Sequence, residues 1–189
     1  FVEKTGRKGV EPNAQTIVFF TGETTFDAPS RYAMRSLGDL IEMKLLDNLR
    51  EALGGTYSVS AGGQLSKYPT PEYQFTIDFG SAPDKADLLW QTVQAVIDTV
   101  KRNGATADEL QKVREQQIRT QEVQLKENGY WVGNISARLE NGEDPRGLAT
   151  YTQDYIQKLT SEQIRDAARK YLNMARYARF VLLPEKPVP

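Results

Sequence analysis

Residues 49–63, which read LREALGGTYSVSAGG, join a helix to a strand and decide how this chain folds. The double glycine Gly54-Gly55 ends the helix, because glycine adopts the left-handed conformation of a helix C-terminus at little cost. The β-rich residues that follow predict a strand. The reversal therefore brings Arg50, in the last helical turn, and Tyr57, at the start of the strand, to the same end of a sheet.

The helix before this reversal is predicted to be well buried. It begins at Asp27, with Pro29 in its first turn, which is typical of a helix N-terminus. Apolar residues recur along it at helical spacing, which predicts a buried face. These residues are Leu37, Ile41, Leu45, Leu49 and Ala52.

The remaining elements are separated by clear turn and cap signals. The pattern predicts strands over residues 16–20, 56–65, 72–80 and 179–183, with a turn over 67–71. It predicts helices over 85–102, 106–128, 130–139 and 151–159, and a last helix that is capped at Thr160 and ends at Tyr171. This order predicts an α+β fold of two layers, in which helices pack on one face of a mixed, largely antiparallel sheet.

Length and charge limit the class of protein. The chain has 189 residues, with 24 Lys and Arg against 25 Asp and Glu, for a net charge of −1. This balance excludes the basic surface typical of a nucleic-acid-binding protein. No apolar run approaches the roughly 20 residues that a membrane-spanning helix requires. We expect a linker over residues 1–12, one domain over 13–184 and a Pro-rich tail over 185–189.

The chain contains no His and no Cys. It therefore lacks the thiolate and imidazole ligands of zinc sites, and it has neither a His-based triad nor an imidazole general base. Carboxylates could still act as acid and base or hold a hard cation. The composition nevertheless argues against a complete hydrolase within this chain.

Arg50 and Tyr57 are the side chains best suited to chemistry. A guanidinium and a phenol both donate hydrogen bonds, and together they suit a carbonyl oxygen or a developing oxyanion. The residues also have a purely structural interpretation. An Arg in the last helical turn complements the helix dipole, and a Tyr at a strand start is common in packing.

Residues 50–59, REALGGTYSV, resemble the Arg…Tyr segment of the pitrilysin/insulinase family of zinc peptidases, the inverzincins. The resemblance extends over nearly the whole chain, and it implies the LuxS/MPP-like fold of that family. In the family, the N-terminal half carries the zinc motif H-x-x-E-H. This chain has no His, so it resembles a domain of the C-terminal half.

The resemblance implies that zinc and the Glu general base lie in an N-terminal half or a partner subunit. No metal is expected in this chain. Arg50 and Tyr57 would bind a peptide or small protein substrate and stabilise the tetrahedral intermediate. Bacterial relatives suggest a periplasmic or secreted protein, and the lack of Cys suits the cytoplasm equally. The alternative is a non-catalytic scaffold or assembly domain of the same family.

One helix offers a second candidate surface. Gln117, Gln121 and Gln124 lie within the helix predicted over residues 106–128 and could line a polar substrate chamber. A solvated helix face explains them more simply. The neighbouring Tyr130-Trp131 is expected to be a partly buried aromatic pair.

Overall fold

The computed structural model describes residues 1–53 and 58–185, and the side chains of 1–48 and 58–185. The chain divides into two compact units. The first combines Phe1–Gly104 with Glu162–Pro189, and the second is Ala105–Ser161. Among the described residues, no helix has the length and apolar character needed to cross a membrane.

The first unit is built on a mixed sheet of five strands. They are β1 (Val2–Arg7), β2 (Ala14–Glu23), β3 (Val59–Ser66), β4 (Glu72–Ser81) and β5 (Ala178–Leu183). Their order across the sheet is β1-β5-β2-β4-β3. Among the strand pairs that the structure describes, β1 and β5 are parallel and the other three pairs are antiparallel. The prediction of an α+β fold with a mixed, largely antiparallel sheet is confirmed.

Helices cover one face of this sheet. In chain order, they are α1 (Ala28–Leu53), α2 (Ala86–Asn103) and, after two helices of the second unit, the helix Ser161–Tyr171. Residues of β2 and β4 alternate between buried and more exposed positions, as expected of strands with one covered face. The core joins the strand residues Val18, Phe20, Phe75, Ile77 and Phe79 to the helical residues Leu37, Ile41, Leu45, Leu89 and Ile97, all fully buried.

The start of α1 confirms the predicted cap. Asp27 Oδ1 accepts a hydrogen bond of 2.7 Å from the backbone N–H of Ser30, one of the donors that a helix N-terminus leaves unpaired. The predicted start of the next helix is slightly different. A short 3₁₀ turn, Pro83–Lys85, precedes α2, and no side chain caps it.

The second unit contains α3 (Ala107–Gln124) and α4 (Asn128–Glu140), followed by a 3₁₀ turn, Pro145–Leu148, and a π-helical turn, Thr152–Ile156. Thr106 and Glu109 form a capping box at the start of α3, because Thr106 Oγ1 accepts from the Glu109 N–H and Glu109 Oε2 accepts from the Thr106 N–H. A break over residues 125–127 separates α3 from α4, so the helix predicted to reach 128 ends earlier. The expected Tyr130-Trp131 pair is partly buried, with rings 5.9 Å apart.

The solvated helix face predicted for α3 is wrong at two positions. Gln117 and Gln121 are only 1% and 2% exposed. Gln121 Nε2 donates to the Tyr130 hydroxyl at 2.8 Å, which satisfies part of the buried amide. These glutamines are therefore interior polar groups.

The opening residues also differ from expectation. The interpretation of residues 1–12 as a linker is wrong for Val2–Arg7, which form β1 beside β5. All six residues of β1 are exposed, so this strand leaves no alternation of apolar and polar residues in the sequence. The Val2 N–H adds a hydrogen bond of 2.9 Å to the Tyr177 carbonyl, next to β5.

Candidate functional site

The predicted pair of donors lies at the junction of α1 and β3. Arg50 belongs to α1, but its side chain is outside the described part of the chain. Tyr57 lies outside the described residues entirely, together with Gly54, Gly55 and Thr56. Their mutual distance therefore stays a prediction. Two described elements flank this pair and are called its two arms: α1, which carries Arg50, and β3, which follows Tyr57.

The arm that follows Tyr57 is fixed to the sheet from its first described residue. The Ser58 carbonyl accepts a hydrogen bond of 3.1 Å from the Gly80 N–H. One residue later, Val59 pairs with Phe79 as β3 begins. Since Ala14 pairs with Ser81, the start of β3 lies at the end of the sheet where β2 starts and β4 ends.

The arm that carries Arg50 packs directly on β3. A Cβ at Gly38 of α1 would lie 3.0 Å from Gly62 Cα and 3.1 Å from the Ala61 carbonyl oxygen. One helical turn later, Glu42 Oε2 accepts a hydrogen bond of 3.1 Å from the Ala61 N–H. Backbone contact and a carboxylate therefore join helix and strand a short distance before the junction.

The sequence pattern does not reveal the roles of Gly38, Glu42 and Gly63. A Cβ at Gly63 would overlap the Met34 side chain and lie 2.7 Å from Phe75 Cδ2. A glycine inside a helix and a glycine pair inside a strand are the signal that could have indicated this contact, because both mark close backbone approach. Nothing local distinguishes Glu42 from the other polar residues of α1.

The face of the sheet opposite the helices has a polar half next to the junction. The Gln15 side-chain amide donates to the Asp78 carboxylate, and Ser60 lies directly opposite Asp78 on β3. Further along the same face, Gln64 of β3 lies opposite Gln74 of β4, and both residues are exposed. Amides, hydroxyls and a carboxylate at this face can donate to and accept from a peptide backbone.

The other half of the same face is apolar. Phe180 and Leu182 of β5 are 41% and 47% exposed. Phe19 of β2 meets Phe180 edge-on with ring centroids 6.2 Å apart, and Ile17 pairs with Phe180 across the strands. The open face thus changes from polar at β3 and β4 to apolar at β2 and β5.

A second charged cluster lies at the opposite edge of the sheet. Arg179 is buried beside the carboxylate of Asp87, and its Nη1 lies 3.8 Å from Glu3 Oε1. Its guanidinium also lies 5.7 Å from the Trp90 ring centroid. A cavity of about 270 Å³ adjoins these residues. Since two carboxylates flank the one Arg, its charge is fully compensated and these three side chains carry a net charge of −1.

A zinc site does not fit the donors of this chain. The sequence has no His and no Cys. Among residues 1–53 and 58–185, no three Asp or Glu side chains are grouped so as to hold a metal ion. Zinc favours nitrogen and sulfur ligands, so the residues present offer it no suitable coordination.

Comparison with known proteins gives a consistent result. The family model described as "Peptidase M16 inactive domain" matches residues 3–117. The "Probable zinc protease PqqL" of Haemophilus influenzae is 26% identical over 174 residues, which cover 90% of this chain and 18% of that protein.

Two solved structures share the fold. The periplasmic protease PqqL from Escherichia coli superposes with a TM-score of 0.79 at 22% identity, over 97% of this chain and 20% of that one. The peptidase M16 inactive domain from Pseudomonas fluorescens superposes with a TM-score of 0.78 at 19% identity, over 100% of this chain and 44% of that one. The chain spans about a fifth of the length of the PqqL proteins that it matches.

Proposed function

This chain belongs to the peptidase M16 inactive-domain family, and from that premise we propose that it is the metal-free part of a zinc-dependent endopeptidase. In this role it binds peptide substrate and stabilises the transition state, while another half of the protein or a partner subunit carries the metal. The observation that carries the proposal is that α1 and β3 pack against each other directly before and after the connection over residues 54–58. In the sequence, Arg50 and Tyr57 lie seven residues apart across this connection.

Arg50 and Tyr57 supply hydrogen-bond donors to the substrate carbonyl. Peptide hydrolysis moves negative charge onto that carbonyl oxygen, so donors already aimed at it stabilise the transition state more than the bound peptide. Arg50 keeps its charge at any physiological pH, and the Tyr57 phenol donates a neutral hydrogen bond. The pair therefore contributes chiefly to kcat.

The polar half of the open sheet face supports peptide binding. Ser60, Gln64 and Asp78 lie on β3 and β4, the strands that extend from the junction. An extended peptide has unpaired N–H and C=O groups that such side chains can satisfy. The occupants that we propose are peptides or small proteins.

Zinc is expected in the other half, where it would polarise the scissile carbonyl and lower the pKa of a bound water. This chain's contribution is to hold the substrate and to stabilise charge. We propose a periplasmic location because the solved Escherichia coli relative is described as a periplasmic protease. Cell fractionation with an antibody against this domain tests that location.

A scaffold role within the same family makes a different prediction. In a scaffold, no half of the assembled protein would carry the H-x-x-E-H motif, and Arg50 and Tyr57 could be replaced without effect on catalysis. The sequence of the complete protein and the kinetics of Tyr57 variants separate the two roles.

Tyr57→Phe tests the proposed function in the complete peptidase. Removing one oxyanion donor typically raises the activation free energy by about 2.7–4 kcal/mol, so we expect kcat to fall by about 10² to 10³. Steady-state cleavage of a fluorogenic peptide gives kcat and KM, and thermal unfolding of the same samples reports stability.

Tyr68→Phe is the matched control, because Tyr68 is 63% exposed and lies in the turn between β3 and β4. It removes the same hydroxyl group and should leave kcat unchanged. Wild-type turnover by Tyr57→Phe would refute the assignment of this residue to the site.

A further inference from the structure

The outward-facing backbone of β3 can be identified from its register with β4. Antiparallel pairs alternate between those that exchange two hydrogen bonds and those that exchange none. The Gly80 N–H donates to the Ser58 carbonyl, so the pairs at Ser60 and Gly62 are the hydrogen-bonded ones that follow. The N–H and C=O of Ala61 therefore point away from β4.

Both outward groups of Ala61 are met by α1. The N–H donates to Glu42 Oε2 at 3.1 Å, and the carbonyl oxygen lies against the helix backbone at Gly38. An exposed strand edge normally offers such groups to another strand. Here the helix covers them, and one carboxylate satisfies the donor.

The contact between Glu42 and Ala61 joins the two arms of the site, α1 and β3. Glu42 precedes Arg50 by eight residues on α1, which corresponds to about 12 Å along a helix axis. Ala61 follows Tyr57 by four residues in the sequence, and the chain between them is already joined to the sheet at Ser58. A shift of β3 along α1 would therefore move Tyr57 relative to Arg50.

We propose that Glu42 is a positioning residue of the site, which holds the Ala61 N–H and so fixes where β3 begins relative to the helix that carries Arg50. The inference rests on the proposed function of Arg50 and Tyr57. Gly38 sets the distance between helix and strand by close packing, and Glu42 sets the register along them.

Glu42→Ala and Glu42→Met, made in the complete peptidase, remove the acceptor. Met keeps the length of the side chain and so preserves packing if Ala does not fold. We expect each to lower kcat at least tenfold, with KM within threefold of wild type, because misplaced donors reduce transition-state stabilisation more than binding. Glu42→Gln retains a side-chain carbonyl acceptor and should keep kcat within threefold.

Two further variants distinguish positioning from general destabilisation. Thr106→Ala removes the cap of α3, which should lower Tm and leave kcat unchanged. In a Tyr57→Phe background, Glu42→Ala should lower kcat by less than twofold, since the donor that it positions is already lost.

The outcomes separate the two hypotheses. If Tyr57→Phe impairs kcat while Glu42→Ala and Glu42→Met retain it, the positioning role is overturned and the proposed function stands. If the Glu42 variants impair kcat equally in the presence and absence of the Tyr57 hydroxyl, the positioning role is also overturned. Wild-type kcat in Tyr57→Phe overturns both.

Discussion

Asp27 shows how one side chain at a helix start ties stability to pH. Partial burial acts to raise the pKa of Asp27. Hydrogen bonds from the Ser30 N–H and from the Ser30 and Thr25 hydroxyls, together with the charge of Lys170, lower this pKa by a larger amount. The net pKa lies below its usual value. The ionised carboxylate therefore stabilises the folded state, and α1, which carries Arg50, begins at this cap.

The effect of Asp27 on stability should disappear in acid. Because the folded pKa is lowered, the contribution is present above the unfolded pKa of about 3.9 and is lost as pH falls through the folded pKa. Asp27→Asn keeps a capping oxygen and removes the charge, so it should be less stable than wild type by about 0.3–1 kcal/mol at pH 7. Urea unfolding at pH 7 and pH 3 checks this, and an equal difference at both pH values would contradict it.

At this scale the sequence predicts what depends on near neighbours. The caps at Asp27 and Thr106 were predictable because cap and partner lie three residues apart. The burial of Gln117 and Gln121 was not, because a glutamine on a helix has the same local pattern whether other elements cover it or not. The hydrogen bond between Glu42 and Ala61 joins residues 19 positions apart in the sequence, so the local pattern could not predict it either.

At the scale of elements, α1 and β3 pack through glycines. The two central glycines of β3 face opposite sides of the strand. At Gly63 an added Cβ would meet Met34 and Phe75, both fully buried, whereas at Gly62 it would meet nothing within 4 Å. Neighbouring residues of one type therefore have different structural roles.

Gly63→Ala and Gly62→Ala form a matched pair. We expect Gly63→Ala to lower the free energy of unfolding by about 1–3 kcal/mol, because overpacking forces buried neighbours to move. Gly62→Ala should be neutral or stabilise by up to about 1 kcal/mol, through reduced entropy of the unfolded chain. Chemical denaturation followed by circular dichroism measures both, and equal losses would show that the Gly63 contacts do not limit packing.

The elements that the sequence predicted are those with their own periodic pattern. β2, β4 and α1 follow from alternation or helical spacing, so their existence was clear and only their ends shifted. β1 has no such pattern, since all its residues are exposed and its pairing partner β5 lies more than 170 residues away. A strand that is defined by pairing alone leaves no local trace.

At the scale of the whole molecule, the lack of His and Cys predicts a division of labour. The donors of this chain do not suit zinc, and the chain spans about a fifth of the PqqL proteins that it resembles. In the proposed function, Arg50 and Tyr57 stabilise charge on a substrate, but an Arg and a Tyr do not generate a hydroxide nucleophile. The zinc and the general base must then come from elsewhere if the assembly is a peptidase.

The isolated chain should therefore neither bind zinc tightly nor cleave peptides. Titration calorimetry with Zn²⁺ should detect no binding in the micromolar range, because carboxylates alone give a poor zinc site. Cleavage of a fluorogenic peptide should be absent with or without added zinc, and it should appear when the zinc-bearing half is supplied. Substituting the His residues of that half must abolish the restored activity. Zinc-dependent cleavage by this chain alone would instead place a complete active site within these 189 residues.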